Sequence, residues 1–280
     1  MPELPEVQTT VDDLNGAGLP GCAITAARVY WPASVSPLSP GVFRRRVTGR
    51  RITGVRRRGK FIVLDLSDGS AVLIHLRMTG KLALKEPASP RSRHEHVILT
   101  LDDALELRFH DTRKFGRVRH TQEARRILAP LGPEPLDRRF TARRLAEMLS
   151  RRKRQIKPLL LDQHFLAGLG NIYTDEALWL ARIHPCRRAD SLSATEAASL
   201  HRAIRSVLRQ GLRNMGTTLG NAEANFYSVA GRRGRNRDQL KVFRRTGQKC
   251  PRCRRSTIVR IVVGQRGTHL CPHCQQMEGS

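Results

Sequence analysis

The pattern of apolar positions changes along the chain and separates regions of different structure. Val7, Val11 and Leu14 recur at helical spacing, so we predict a short helix over residues 5–15. From about residue 22 to residue 120 the apolar runs are short and alternate with turn residues, which is typical of strands. Helical spacing then returns, and the last segment is rich in cysteine.

Two hairpins indicate an antiparallel sheet in the first part of the chain. The apolar run at residues 61–66 is followed by the turn Ser67–Ser70 and by a second apolar run at 71–74. Residues 97–101 and 105–109 repeat this arrangement. Several antiparallel strands at this spacing favour a β-sandwich or a barrel.

Polar and structure-breaking segments separate these patterns. Residues 85–93 contain two prolines and two serines and predict a loose loop. Residues 131–136 contain two prolines and a glycine, which indicates a linker. Farther on, the capping box Ser193–Glu196 precedes a long amphipathic helix. Residues 220–240 are polar, glycine-rich and basic, so we predict a mobile loop there.

The charge of the chain indicates a polyanionic partner. Its 280 residues include 51 Lys and Arg against 24 Asp and Glu, a net charge of +27 spread over the whole length. Nucleic acid is the default partner for such a surface, with an acidic protein or a membrane as alternatives. No apolar run approaches 18 residues, which argues against a membrane. The acidic, proline-broken start does not resemble a signal peptide, so we expect a cytoplasmic protein.

Four of the six cysteines form two closely spaced pairs near the end of the chain. Cys250 and Cys253 are separated from Cys271 and Cys274 by 17 residues. Two such pairs supply the four thiolates of a structural zinc site, with an apolar hairpin between them. A redox dithiol, the alternative, needs only one such pair. We therefore predict one structural Zn²⁺, and Arg266 in the hairpin turn is placed to meet a phosphate.

Two further segments are candidate phosphate contacts. Gly168–Asn171 lies between two predicted helices, and backbone N–H groups at such a helix start can bind a phosphate. Asn171 would cap the second helix or donate to the phosphate; an ordinary corner between helices is an equal alternative. The basic run Arg56–Lys60 precedes a strand, where a solvated loop is the usual outcome, but in so basic a chain it predicts a phosphate clamp.

Two short segments after strands place apolar side chains in turns. Met78 lies in the turn that ends at Gly80, and Arg113 and Phe115 lie in the turn that ends at Gly116. Apolar residues in turns more often fill a core. On a DNA-binding face they can instead act as wedges that unstack bases.

The start of the chain carries a candidate nucleophile. If Met1 is removed, Pro2 has a secondary amine whose lone pair no peptide bond delocalises. An α-amino group has a pKa of about 8, so roughly a tenth is unprotonated at pH 7. Such an amine can attack an aldehyde-level carbon, and Glu3 beside it can move the protons. Most chains that begin Met-Pro use the proline for no chemistry, so this feature depends on its surroundings.

Together these segments resemble the bacterial formamidopyrimidine-DNA glycosylases, within the wider family that includes endonuclease VIII. The resemblance runs from Met1 to Gln275 and rests on the order of MPELPEV, RRRGKFI, HLRMTG, DTRKFG, GLGNIYTDEALW and the two cysteine pairs. It implies an α+β multidomain fold. Its parts would be an N-terminal helix with an antiparallel β-sandwich forming the catalytic domain (1–128), a linker (129–137), a helix–two-turns–helix DNA-binding domain (138–245) and a C-terminal β-hairpin zinc ribbon (246–280).

The resemblance also implies a function. It is that of a base-excision repair glycosylase with AP lyase activity, which removes oxidised purines such as 8-oxoguanine and formamidopyrimidines through a proline iminium and β,δ-elimination. The partner would be double-stranded damaged DNA, bound by a monomer across the cleft between domains without a nucleotide cofactor or a membrane.

Site residues follow by motif match. Pro2 would attack the sugar C1′ and Glu3 would act as the acid/base group, while Glu6 helps to hold the helix. The DNA around the lesion would be held, mostly through phosphates, by Lys60, His75, Lys157, Asn171 and Arg266, of which Lys60 and Arg266 complete the catalytic set. The gap left by the extruded base would be filled by Met78, Arg113 and Phe115, with Arg113 facing the orphaned base.

Some positions depart from the family pattern. Arg254 and Arg255 stand where a small residue is usual, Leu270 replaces an aromatic residue or isoleucine, and Phe243 replaces tyrosine. The loop at 220–239 is longer and more basic than usual, which leaves the lesion preference open.

Two alternatives remain. One is an oxidised-pyrimidine glycosylase of the endonuclease VIII type, against which Leu4 and the Met/Arg/Phe set argue. The other is a non-catalytic protein that binds damaged DNA, against which the Pro2-Glu3 pair and Lys60 argue.

Overall fold

The computed structural model describes residues 2–102, 104–220 and 226–277, which form two units. The first unit runs to Pro130 and also takes in Leu212–Arg237. The second takes in Leu131–Gly211 and the chain from Asp238 onward. Among the described residues, no helix is both long enough and apolar enough to cross a membrane.

Eight strands of the first unit form two antiparallel four-stranded sheets. The strands are β1 (Ile24–Val29), β2 (Ile52–Arg58), β3 (Phe61–Leu66), β4 (Ala71–His75), β5 (Lys81–Lys85), β6 (Glu95–Leu101), β7 (Glu106–His110) and β8 (Arg117–Thr121). One sheet has the order β1-β6-β7-β5 and the other β2-β3-β4-β8. Apolar residues of both sheets share one buried core, so the predicted β-sandwich is confirmed.

The first helix follows from its apolar spacing. Helix α1 (Leu4–Gly16) has Pro5 in its first turn and buries Val7, Val11 and Leu14 in the core, as predicted. Two shorter α-helices also belong to this unit, α2 (Pro40–Val47) and α3 (Ala124–Leu128).

The register of one sheet brings several predicted site segments to the same end. Arg58 pairs with Phe61, Phe61 with His75, and His75 with Arg117 across β2, β3, β4 and β8. The turn after β2, the segment after β4 and the segment before β8 therefore all leave the sheet at one end.

The second unit consists of helices and a two-stranded hairpin. The helices are α4 (Ala142–Ser150), α5 (Ile156–Leu161), α6 (Asn171–Ala181) and α7 (Ala194–Arg213), and the hairpin pairs β9 (Val259–Val263) with β10 (Arg266–Leu270). The predicted capping box begins α7, because Ser193 N–H donates to Glu196 Oε2 at 2.8 Å and Glu196 N–H donates to Ser193 Oγ at 3.2 Å.

Two predicted loops differ from the sequence-based expectation. The basic run Arg56–Arg58 lies in strand β2, not in a solvated loop, because Arg57 and its neighbours continue the ladder with β3. Residues 86–94 are a loop but not a loose one. The buried Arg108 guanidinium donates to the carbonyls of Glu86 and Ser89, at 3.2 and 2.9 Å.

Candidate active site and metal centre

The start of the chain is buried and held by one carboxylate. Pro2 is buried, and Glu3, which is 2% exposed, begins helix α1 in a capping box with Glu6. Glu6 Oε2 accepts the Glu3 N–H at 2.9 Å, and its Oε1 accepts the Thr217 N–H at 2.6 Å. Glu6 therefore fixes the chain next to the candidate nucleophile and ties it to the segment that begins at Gly216.

Helix α1 lies along β2 with its first turn toward the end of the sheet described above. Asn15 Nδ2 donates to the Val55 carbonyl at 3.1 Å. Nearer the N-terminus of the helix, Gln8 Oε1 accepts from Arg57 Nε at 3.0 Å. Toward its N-terminus the helix thus follows β2 toward Lys60. Because Pro2 and Glu3 precede this helix, we infer from its direction that they lie toward the sheet end that also carries Lys60 and His75.

Lys60 and His75 line this end of the sheet. Lys60 lies in the turn between β2 and β3 and is 5% exposed, so it is no solvated surface lysine. The His75 ring packs edge-on to Phe61 at 4.8 Å, and its Nδ1 accepts the Arg77 N–H at 3.0 Å. Burial, with the positive charges of Arg77 and Lys60, lowers the pKa of His75 to about 3. His75 is therefore neutral at pH 7 and presents Nε2–H as a donor.

Two turns at the same end expose apolar side chains, as the sequence predicted. We call residues 76–80 the first wedge turn and residues 112–116 the second wedge turn. Met78 is 37% exposed in the first, and Phe115 is 48% exposed in the second. The Arg113 guanidinium lies 4.8 Å from the centre of the Phe115 ring. Exposed apolar tips beside a cation suit insertion between stacked bases.

The predicted mobile loop is anchored at its base. Thr218 Oγ1 donates to the Phe226 carbonyl at 2.6 Å and accepts the Gly234 N–H at 2.9 Å. The Arg232 guanidinium pairs with Asp13 at 2.6 Å. Residues 221–225 of this loop lie outside the described residues.

In the second unit, Lys157 is buried rather than exposed. Its Nζ donates to Asp175 Oδ1 at 2.6 Å and to the Gly267 carbonyl at 3.1 Å, and its side chain is 0% exposed. Asp175 Oδ2 in turn accepts the His269 N–H at 2.9 Å. This position disagrees with the direct phosphate contact predicted for Lys157, because a fully buried ammonium offers no surface to a phosphate.

Asn171 and Arg266 are both linked to strand β10, which contains Gly267. Gly170 is the N-cap of α6, so the capping role predicted for Asn171 is wrong. Asn171 Nδ2 instead donates to the Gly267 carbonyl at 2.8 Å, which uses one of its two hydrogens. Arg266, next to Gly267, is exposed at the start of β10. Lys157 and Asn171 thus hold the strand from which Arg266 projects.

Sequence reasoning missed three buried carboxylates. Asp111 joins the two wedge turns, Asp175 accepts from Lys157 and His269, and Glu176 accepts the N–H groups of residues 241–243 at 2.8 to 2.9 Å. Burial raises the pKa of Glu176, and the three N–H donors oppose that rise. The sequence offered one signal, because these acidic residues lie within segments predicted to be core or turn. A buried carboxylate there is rare unless it has a hydrogen-bond or ion-pair partner.

The four cysteines near the C-terminus converge as predicted. The Sγ atoms of Cys250, Cys253, Cys271 and Cys274 all lie within 4.8 Å of one another. Cys250 and Cys274 are 3.9 Å apart, and Cys253 and Cys271 are 3.7 Å apart. A tetrahedral zinc with Zn–S bonds of about 2.3 Å separates its sulfurs by roughly 3.8 Å, so the cluster fits one Zn²⁺. Four thiolates close the coordination shell, and the ion is structural.

Known proteins match the chain over its whole length. It is 48% identical to the formamidopyrimidine-DNA glycosylase of Roseiflexus sp. (strain RS-1) over 278 residues, which cover 99% of this chain and 100% of that protein. The protein of the same name from Protochlamydia amoebophila (strain UWE25) is 42% identical, with 99% and 100% covered. The chain belongs to the formamidopyrimidine-DNA glycosylase family.

Family models match three successive parts of this glycosylase. They describe the formamidopyrimidine-DNA glycosylase N-terminal domain at residues 1–118, the H2TH domain of the same enzyme at 131–222, and a zinc finger found in FPG and IleRS at 247–276. The zinc-finger match includes all four cysteines, and together with their geometry it establishes the structural zinc predicted from the sequence.

Solved structures of the family share the fold. A mutant of the Lactococcus lactis FPG, in complex with a Fapy-dG containing DNA, matches with a TM-score of 0.90 at 34% identity, covering 99% of this chain and 100% of that chain. The complex of Lactococcus lactis Fpg with DNA containing an abasic site gives 0.89 at 34% identity, with 98% and 100% covered. The chain is thus a DNA-binding base-excision repair glycosylase of a family with glycosylase and AP lyase activity.

Proposed function

We propose that this protein removes oxidised purines, formamidopyrimidines and 8-oxoguanine among them, from double-stranded DNA and then cuts the strand by β,δ-elimination. One observation carries the proposal. Helix α1, which follows the buried Pro2-Glu3 start, runs along β2 toward the sheet end that carries Lys60, His75 and both wedge turns. The names of the relatives and the Fapy-dG in one structural neighbour agree with this substrate class.

The chemistry begins at the Pro2 nitrogen once Met1 is removed. The unprotonated amine forms a bond to the sugar C1′ while the bond from C1′ to the base breaks. The departing base takes up a proton. Loss of the amine proton lets the nitrogen lone pair expel the ring oxygen O4′, so the C1′–O4′ bond breaks, O4′ takes up a proton and an iminium forms at C1′. Glu3 moves these protons. The iminium acidifies the C2′–H, so elimination breaks the 3′ phosphate ester. A second elimination breaks the 5′ ester and leaves a one-nucleoside gap.

The surrounding residues hold the DNA in the geometry that this attack needs. We assign Lys60, Arg266 and Asn171 to phosphates around the lesion, with His75 donating as a neutral group through Nε2–H. Met78, Arg113 and Phe115 fill the space of the extruded base, which costs a few kcal/mol to unstack. For Lys157 we propose a positioning role through Gly267, in place of a direct contact with DNA.

We also propose the domain bounds 1–128, 129–137, 138–245 and 246–280 given above, a monomer that needs no nucleotide cofactor, and a cytoplasmic, nucleoid-associated location. The order of the family models supports the domain bounds, and the net charge of +27 supports the association with nucleoid DNA.

Base release from a panel of duplexes tests the substrate class. Each duplex carries 8-oxoguanine, a formamidopyrimidine, an oxidised pyrimidine or no lesion, and single-turnover rates are compared. We expect the two purine lesions to react fastest. Faster release of the oxidised pyrimidine would favour the endonuclease VIII type, and binding without release from any duplex would favour a non-catalytic binding protein.

A further inference from the structure

The two wedge turns are joined through a single buried carboxylate. Asp111 is 0% exposed and lies between them in the fold. Its Oδ2 accepts the Gly116 N–H at 2.7 Å, and its Oδ1 accepts the Arg113 N–H at 3.1 Å. The Thr79 hydroxyl of the first wedge turn donates to the same Oδ1. Thr79 Oγ1 also accepts the Arg113 N–H, at 3.3 Å.

Both turns have backbones that need such support. Arg77 in the first turn and Lys114 in the second have φ angles of 52° and 60°, a left-handed conformation that costs energy for residues other than glycine. A side chain at Gly116 would begin 2.4 Å from the Phe109 ring and 3.2 Å from the His75 carbonyl. The second turn is therefore pressed against the end of β4, where the first turn begins.

Asp111 is itself fixed to the neighbouring sheet. Its N–H donates to the His94 carbonyl at 2.9 Å, and its carbonyl contacts His96 Nε2 at 2.8 Å. The carboxylate is thus a rigid point to which both turns attach. A side chain that is buried and held on both its backbone and carboxylate sides can set the spacing between Met78 and Phe115.

We propose that Thr79 and Asp111 are positioning residues for base extrusion, which couple the two wedge turns so that Met78, Arg113 and Phe115 enter the helix as one unit. This inference rests on the proposed function, in which those three side chains replace the extruded base. Neither Thr79 nor Asp111 needs to touch DNA. Because the link matters for extruding a base, its loss should slow base removal more than cleavage at a site that has no base.

The test variant is Thr79→Val, which keeps the side-chain shape and removes the hydroxyl. Single-turnover base release from an 8-oxoguanine duplex should fall about tenfold or more, since the lost bond is to a carboxylate. Strand cleavage of a duplex with a preformed abasic site should change less than about twofold. Thr79→Ser should restore base release. Fluorescence of 2-aminopurine beside the lesion should show slower unstacking in Thr79→Val.

A matched control lies in β8, at the other end of the sheet from the two wedge turns. Thr121 is also buried, and its Oγ1 accepts the Glu123 N–H at 2.9 Å. Thr121→Val should cause no such split between the two rates, whatever it does to the melting temperature. If Thr79→Val does not fold, Asp111→Asn carries the test, because its NH2 group must face either the Gly116 N–H or the Arg113 N–H, and one of these hydrogen bonds is lost.

Equal effects of Thr79→Val on both substrates, or no effect on base release, would overturn the inference. A wild-type protein that reacts with neither duplex would overturn the proposed function, and the inference with it. Normal wild-type activity with unsplit rates in Thr79→Val, or in Asp111→Asn where that variant carries the test, would overturn the inference alone.

Discussion

At the scale of single residues, two of the predicted site residues differ in protonation or burial from what their types suggest. Histidine usually titrates near neutral pH, but the pKa of His75 is lowered from 6.5 to about 3 by burial and by the charges of Arg77 and Lys60. In the second unit, Lys157 departs from the usual exposure of lysine and is fully buried against Asp175. Neither fact can be predicted from the sequence, because the partners of Lys157 lie 18 and 110 residues farther on.

The lowered pKa of His75 predicts a dependence of stability on pH. Unfolded His75 takes up a proton below about pH 6.5, whereas the folded residue stays neutral until about pH 3. The contribution of this residue is therefore fully present above pH 6.5 and is lost as the pH falls toward 3. NMR should show that the His75 ring signals do not titrate between pH 5.5 and 8. Between pH 6.5 and 5, the free energy of unfolding measured with urea should fall less for His75→Gln than for the wild-type protein. A ring titration near pH 6.5 would contradict this prediction.

At the scale of secondary structure, apolar periodicity predicted α1, α7 and both hairpins, and the spacing of the cysteines predicted the zinc ribbon. It did not reveal that Arg56–Arg58 belongs to β2, since three consecutive basic residues hide the alternation of a strand. It also did not reveal which carboxylates hold the elements together. Glu176 accepts N–H groups 65 to 67 residues away, a distance over which a sequence pattern carries no information.

The residue that follows the first cysteine pair has an unfavourable backbone conformation. Arg254 has a φ angle of 55°. Glycine adopts this conformation without the cost of a Cβ, although its greater freedom in the unfolded chain offsets part of the gain. Arg254→Gly should therefore raise the free energy of unfolding by up to about 1 kcal/mol. Chemical denaturation at saturating zinc measures this, with Arg255→Gly as the control. A loss of stability in Arg254→Gly would contradict the prediction.

At the scale of the whole molecule, the net charge of +27 predicts DNA binding that weakens steeply with salt. Contacts to phosphate should contribute to this dependence, and the apolar wedges should not. Arg266→Ala should lower the slope of log affinity against log salt by about 1. Met78→Ala should leave the slope unchanged. Fluorescence anisotropy with an abasic-site duplex at several salt concentrations makes the comparison. An unchanged slope in Arg266→Ala would show that Arg266 does not contact a phosphate.

The central claim is that the Pro2 nitrogen bonds to the sugar during base removal. Borohydride reduces an iminium to a stable amine, so it should trap the protein on an 8-oxoguanine duplex. Peptide mass spectrometry should then locate the sugar remnant on the first peptide, at Pro2 and not at a lysine. The fraction of protein that retains Met1 should form no adduct, because its Pro2 nitrogen is an amide. An adduct on Lys60, or no adduct while the base is released, would contradict the account.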